Sequence, residues 1–249
     1  MPLFGQLDSS THVGRASTVT SLLTNAESFS VDDVDILAFT FEIDIQRGFA
    51  ATPKALHPSI PSYCQLVVRR HRDSPLGAFT VGELRVNARA GTHYLAYCIG
   101  AFTDNDKALA FFRERYGAPM QRADVQLESR YYGVVGSVVL GTKVILDGLL
   151  EKPHYISGSD VLYTPNLNLA RVGNETKLVH QEMEFAIGRA QRGAAVLKAF
   201  DAAAFGETNV VLRQPLPATF VQAKVTYTGV RYLIDPERPA MAGTETVAA

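Results

Sequence analysis

The feature that most constrains this chain is a succession of short β-forming runs separated by glycine-bearing turns. Residues 36–43 read Ile-Leu-Ala-Phe-Thr-Phe-Glu-Ile, a β-branched and aromatic mixture that fits a pleated, buried surface. Runs of the same kind cover Tyr63 to Arg70, Phe79 to Ala88, His93 to Phe102, Ala123 to Leu127, Tyr131 to Leu140, Thr142 to Leu150, Ser159 to Asn168 and Lys177 to Ala186, and a last long one covers Phe220 to Ile234. Ala90-Gly91, Leu140-Gly141-Thr142 and Gly173-Asn174-Glu175 read as the hairpin turns between neighbours. Two helices interrupt the series. Asp104 or Asn105 caps the first, Ala108, Leu109, Phe111 and Phe112 give it an apolar stripe, and Tyr116-Gly117-Ala118-Pro119 stops it. The Ala-rich stretch Arg189 to Ala204 is predicted to be the second, and Arg47 to Ala55 a shorter helical piece closed at Pro53. Roughly ten strands without βαβ alternation or a long internal repeat predict one mostly antiparallel barrel or sandwich-like domain over 1–249. Residues 1–30 are expected as a polar arm over the surface, and 235–249 as a frayed tail.

Charge removes whole function classes. Of the 249 residues, 24 are Lys or Arg and 25 are Asp or Glu, a net charge of −1. That balance argues against a nucleic-acid partner, whose phosphates need neutralising, and against a polybasic membrane surface. Cys64 and Cys98 are too few for a disulfide framework and have no zinc-ligand spacing, so no metal or cofactor is implied. No basic segment followed by an apolar run opens the chain, and no run reaches spanning length, so a cytoplasmic protein is expected.

The stretch from Pro75 to Ala123 carries more than propensity. It runs Pro75-Leu76-Gly77-Ala78-Phe79-Thr80-Val81-Gly82-Glu83-Leu84, then Thr103-Asp104-Asn105-Asp106, then Phe112-Arg113-Glu114-Arg115-Tyr116-Gly117-Ala118-Pro119-Met120-Gln121-Arg122-Ala123. This resembles the acetoacetate decarboxylase superfamily, with its Pro-Tyr-x-Glu strand, Asp-Asn-Asp helix start and Gly-Arg-Glu-x-x-Gly-x-Pro-Lys-Lys helix end. Fainter similarity extends over Phe41 to Leu56, Gly141-Thr142-Lys143 and Lys152 to Asn166. The resemblance implies a β-rich α+β fold, a mostly antiparallel β-barrel or cone with a few helices, and possible homo-oligomers. It also implies covalent catalysis. A lysine beside a second lysine in an apolar pocket loses its proton, forms a Schiff base with a keto acid and accepts the electrons left by carbon dioxide.

This chain departs from the pattern at the reacting group. The two lysines after Pro119 are replaced by Met120 and Gln121, and Val34 falls where the family places an N-terminal arginine. Of the seven lysines, only Lys224, mid-strand in Gln222-Ala223-Lys224-Val225, is open to an inward position by alternation, which would relocate the imine.

The remaining candidates each carry two readings. Glu83 is either a proton-handling carboxylate inside the barrel or a structural one paired with a buried arginine. Arg113 and Glu114 diverge around a helix, so one of them is expected to tie the helix to the barrel. Gln121 has an amide able to polarise a carbonyl, and Met120 suits an apolar ligand. His93, near Tyr97 on a strand expected to line the barrel, is the general-base candidate. Arg69-Arg70-His71-Arg72 reads as a solvated strand edge, and Tyr131-Tyr132 as one ring in, one out. Together these residues imply a lyase or isomerase of secondary metabolism, acting on a keto acid, enone or polyketide-like compound. Its catalytic set would be Glu83, Gln121, Arg113 and Glu114, with Met120, His93 and Tyr97 binding substrate. A non-catalytic small-molecule binding protein or partner subunit is the alternative, and an imine at Lys224 a third.

Overall fold

A computed structural model describes residues 3–241 and 245–248. In chain order these are α1 (Ser9–His12), β1 (Ser17–Val19), β2 (Phe29–Ile43), α2 (Ile45–Ala50), β3 (His57–Pro58), β4 (Tyr63–His71), β5 (Phe79–Ala90), β6 (His93–Thr103) and α3 (Asp106–Tyr116). There follow β7 (Met120–Arg122), β8 (Asp124–Arg130), β9 (Gly133–Leu140), β10 (Lys143–Ile156), β11 (Asn166–Val172) and β12 (Glu175–Gln181). The chain then forms β13 (Met183–Phe200), α4 (Ala202–Phe205), β14 (Leu212–Pro215), β15 (Ala218–Tyr227), β16 (Tyr232–Ile234) and β17 (Thr246–Val247).

Antiparallel pairings run β9–β10–β13–β15–β2–β4–β5–β6. The sheet continues in parallel from β6 to β11, and antiparallel through β12 to β16. Alternation then sorts the side chains into two cores. Leu66 and Val68 of β4, with Leu84 and Val86 of β5, meet Val125, Leu127, Val134 and Val138 of the β8–β9 hairpin folded over them. One residue out of phase, Val67 and Val81 meet Ala101, Met120, Ala170, Val179, Ala190 and Val221. Those residues come from eight strands spread along the sheet, and they share one cluster because the sheet curls round it. The β-rich, mostly antiparallel barrel predicted from the sequence is the observed architecture. Its central strands are buried on both faces, which is why they read as near-continuous apolar runs.

Helix α3 closes one end of the barrel. The Asn105 side chain accepts from the amides of Lys107 and Ala108, and Gly117 ends the helix at φ +64°. Phe112 and Tyr116 enter the inner core, and the Tyr116 hydroxyl donates to the Thr228 carbonyl. A Cβ on Gly117 would sit 2.2 Å from Cβ of Ala170 on β11, so glycine serves both the left-handed turn and the close approach.

Several expectations fail, each for a tertiary reason. Arg189 to Ala204 is not a helix: residues 183–200 form one strand, helical only at Ala202–Phe205. Its first part pairs with β15 and its second with β10, so tertiary pairing overrides alanine's helix propensity. The strand predicted from Ser159 starts only at Asn166, and Phe220 to Ile234 breaks into β15 and β16. Tyr131 and Tyr132 both lie exposed in the β8–β9 turn. Strand β4 lies between β2 and β5, so Arg69 to Arg72 is no edge: Arg70 and Arg72 converge on the buried carboxylate of Asp35. The N-terminal segment is built in, since β1 pairs with β11 and Ser17 donates to the Ala118 carbonyl. The tail is also tied down: Ala55 donates to the Pro236 carbonyl, Ala240 to that of Ala55, and Gly91 to that of Ala240. Residues 242–244 and 249 of the predicted tail, like 1–2 of the arm, lie outside the described residues. Among the described residues no helix is long and apolar enough to cross a membrane.

Candidate functional site

Two adjacent strands build a polar cluster inside the barrel. On β5, Val81, Glu83, Arg85 and Asn87 alternate with Leu84, Val86 and Ala88 of the other core; on β4, Gln65, Val67, Arg69 and His71 alternate with Leu66 and Val68. Arg69 and Glu83 are ion-paired, each side chain 3% exposed. Asn166, at the start of β11, bridges to the next charge. Its amide donates to Glu83 Oε2 at 3.4 Å, and its Oδ1 accepts from Arg85 Nη1 at 3.0 Å. Arg85 also donates to the Thr164 carbonyl at 3.1 Å, which holds residues 161–165 over the cluster. Tyr163 stacks on Phe185 with ring centroids 4.2 Å apart. Its hydroxyl is buried without a hydrogen-bond partner, as are Nε of Arg69 and Nε of Arg85. Toward α3, His71 Nε2 lies 2.7 Å from the Tyr227 hydroxyl, and its ring stacks on Phe79.

The electrostatics follow from burial. Desolvation is the largest influence on the Arg69 cation and works against it, but Glu83, Tyr227 and Cys98 together outweigh it and the pKa is raised; at Arg85 desolvation prevails and the pKa is lowered. Burial holds the Tyr163 phenol above its ordinary value against the opposing arginines, so it stays a donor. Burial, then Arg69, holds His71 well below its ordinary value, and burial pushes the Cys98 thiol well up. Cys64 is raised to about 12, so both cysteines are core residues, as expected. Two guanidiniums face one carboxylate, leaving the cluster one negative charge short; Nε of Arg69, Nε of Arg85 and the Tyr163 hydroxyl are unpartnered donors there, beside the unpartnered oxygens of Gln65 and Asn87. Such a deficit is costly in a protein interior, and a ligand carboxylate would make it good.

The predicted site residues divide into two groups. Glu83 pairs with Ala101, and Ala101 with Met120, so Glu83 and Met120 face the interior in one row, about 10 Å apart at their backbones. Met120 is 2% exposed. Gln121, its neighbour on the strand, is exposed instead and joins Arg113 in an outer cleft of about 420 Å³. Neither meets Glu83. Glu114 is exposed on α3 and lines no described cavity. The side chain that ties α3 to the N-terminal segment is Arg115, paired with Glu27. His93 is exposed at the start of β6, against Tyr232, and so does not line the barrel. Tyr97 is buried in the outer core, with its hydroxyl 3.4 Å from His12 Nδ1. Lys224 points outward to Asp32 at 2.9 Å, which removes the relocated imine, and none of the seven lysines is buried. Sequence reasoning missed Arg69, Arg85, Asn166 and Tyr163. The signal for the first two was polar or charged residues recurring at alternate positions (Gln65, Arg69 and His71; Glu83, Arg85 and Asn87) of strands whose other face is apolar. Among the described residues, no group of three or more His, Cys, Asp or Glu side chains is placed to hold a metal ion.

No protein-family model matches the chain. No curated protein matches it either. Solved structures do. Acetoacetate decarboxylase from Legionella pneumophila superposes with a TM-score of 0.73 at 19% identity, covering 81% of this chain and 86% of that one. An acetoacetate decarboxylase-like enzyme from Sphingomonas wittichii gives 0.68 at 12% identity, covering 88% and 93%. The enduracididine biosynthesis enzyme MppR, complexed with pyruvate, gives 0.67 at 11% identity, covering 81% and 89%. The chain therefore has the acetoacetate decarboxylase-like fold.

Proposed function

We propose that this chain, on its acetoacetate decarboxylase-like fold, is a lyase- or isomerase-type enzyme for a small keto acid, enone or polyketide-like acid. It works by proton transfer without a Schiff base. The observation that carries the reading is the inner cluster: an excess positive charge on Arg69 and Arg85, a carboxylate at Glu83, and no buried lysine. Two neighbours in fold support the keto-acid part of the reading, one being named an acetoacetate decarboxylase and the other an enzyme complexed with pyruvate.

In this mechanism the substrate carboxylate takes the free donors of Arg85 and Arg69, making up the missing charge. Its carbonyl lies toward the Tyr163 hydroxyl, which donates to the enolate oxygen as charge develops there. Glu83, released from Arg69 when the substrate anion takes its place, removes the proton beside the carbonyl and returns it to carbon. Met120 occupies the wall where the resemblance places an amine, and offers apolar contact only.

The test is solvent deuterium incorporation beside the carbonyl of short 2-oxo and 3-oxo acids, followed by NMR. Wild type is expected to exchange the label, and Glu83→Gln to lose about 10²–10⁴-fold in rate while keeping its circular dichroism. An unchanged rate in Glu83→Gln would falsify the assignment. Saturable binding of the acids with no exchange would transfer the protein to the class of binding proteins, a reading favoured by the existing engagement of Glu83 with Arg69.

A further inference from the structure

The outer cleft holds a second set of unused cations. Its walls are the N-terminal segment (Gly14, Arg15, Ser17), the end of α3 (Arg113), the turn into β7 (Pro119 to Gln121), Ile99 of β6 and Phe205 of α4. Arg15 and Arg113 line it from opposite elements, neither forms an ion pair with a described carboxylate, and no Asp or Glu is among its lining residues. Glu207, the residue after Gly206, is already engaged. It is 4% exposed, lies 3.8 Å from His12 Nε2, and accepts from the backbone and side-chain amides of Asn209.

Arg15 is exposed and rests against the C-cap of α4. Its guanidinium lies across Gly206, where a Cβ would come within 1.9 Å of Nη1, and Gly206 at φ +109° is the C-cap of α4. Helix α4 is itself pressed onto the sheet, since a Cβ on Gly100 would meet the Phe205 carbonyl at 2.2 Å. The α4 wall against which Arg15 rests is therefore fixed by backbone packing. The planar fork of a guanidinium is itself preorganised, so less entropy is lost per hydrogen bond formed to an oxyanion.

We infer that this cleft is a binding site for a small organic anion, separate from the inner cluster. A phosphate or carboxylate head lies between Arg15 and Arg113 with the Gln121 amide beside it, and an apolar body rests on Ile99, Phe205 and Met120. Planar guanidinium donors suit either oxyanion, and a volume of about 420 Å³ falls in the range of small-molecule sites. Met120 belongs both to this wall and to the inner core, so the occupant touches the residue that stands in one row with Glu83.

Isothermal titration with phenyl phosphate, benzoate and inorganic phosphate tests the site. Saturable binding of at least one aryl anion is expected, weakened at least tenfold in Arg15→Gln/Arg113→Gln, with Lys224→Ala as the control for general loss of positive charge. Tighter phenyl phosphate or tighter benzoate would each support the site and tell which head group it takes. No saturable binding to wild type overturns the inference. So does undiminished binding in the double variant, which would put the ion elsewhere, and so does an equal loss in Lys224→Ala. Both arginines are exposed, so the variants keep the fold. None of these outcomes depends on the deuterium exchange assigned to Glu83.

Discussion

The carboxylate of Glu83 and the guanidinium of Arg69 form an ion pair in the barrel interior, from strands that also pair Val67 with Glu83 and Arg69 with Val81. The two residues are diagonal neighbours on one face. Their contact makes the stability cost of each depend on the presence of the other.

Removing one partner is expected to cost far more than removing both. Glu83→Leu strands two guanidiniums in the interior and should destabilise by about 3–5 kcal/mol, while Arg69→Met/Glu83→Leu recovers much of that loss. Urea unfolding of the three proteins checks it. A double variant no more stable than Glu83→Leu would show that losing Glu83 does not leave Arg69 as an uncompensated buried charge.

Met120 marks where an amine would be masked from water. Met120→Lys places a lysine in a site 2% exposed, so desolvation favours the neutral amine. With acetoacetate or pyruvate and borohydride, the variant should gain a covalent adduct visible by intact mass. Wild type should gain none; a wild-type adduct would overturn the imine-free reading.

Two buried histidines set an acid limit. Burial, then Arg69, holds His71 well below its ordinary value, and burial pushes His180 down to about 4. The unfolded chain protonates both near pH 6.5. Below that pH the unfolded state binds more protons, so stability is full above about pH 6.5 and falls as pH drops toward 4. The slope reaches about 1.4 kcal/mol per pH unit for each group. His180→Gln should reduce the loss between pH 7 and pH 5 by about 1–2 kcal/mol in urea unfolding. An identical pH dependence in wild type and variant would show that His180 is not one of the groups responsible.

Gly117 is held by two constraints at once. Alanine there adopts a left-handed conformation costing about 1–2 kcal/mol and brings its Cβ to 2.2 Å from that of Ala170. Gly117→Ala should therefore lose more stability than Gly141→Ala, where a Cβ meets nothing within 4 Å at a similar φ of +62°. Equal losses would mean that the contact with β11 relaxes freely.

What could be read from the sequence were features set by neighbours along the chain. Asn105 caps α3 and Gly117 ends it, and Gly91, Gly141 and Gly173 turn the hairpins, because a cap or a positive φ depends on a few adjacent residues. The apolar runs of β2, β4, β5 and β6, and the absence of lysine after Pro119, were equally plain. Register and enclosure were not. Nothing local says that residues 189–200 pair with two strands at once, or that Arg69 leaves a basic run to meet Glu83. Nor does anything local bring Tyr163 and Asn166, some eighty residues further on, over the same pair. The missing lysine was a property of the sequence. Which charges face the space it would have filled was decided only when the sheet curled, because burial makes Arg69, Glu83 and Arg85 depend on one another.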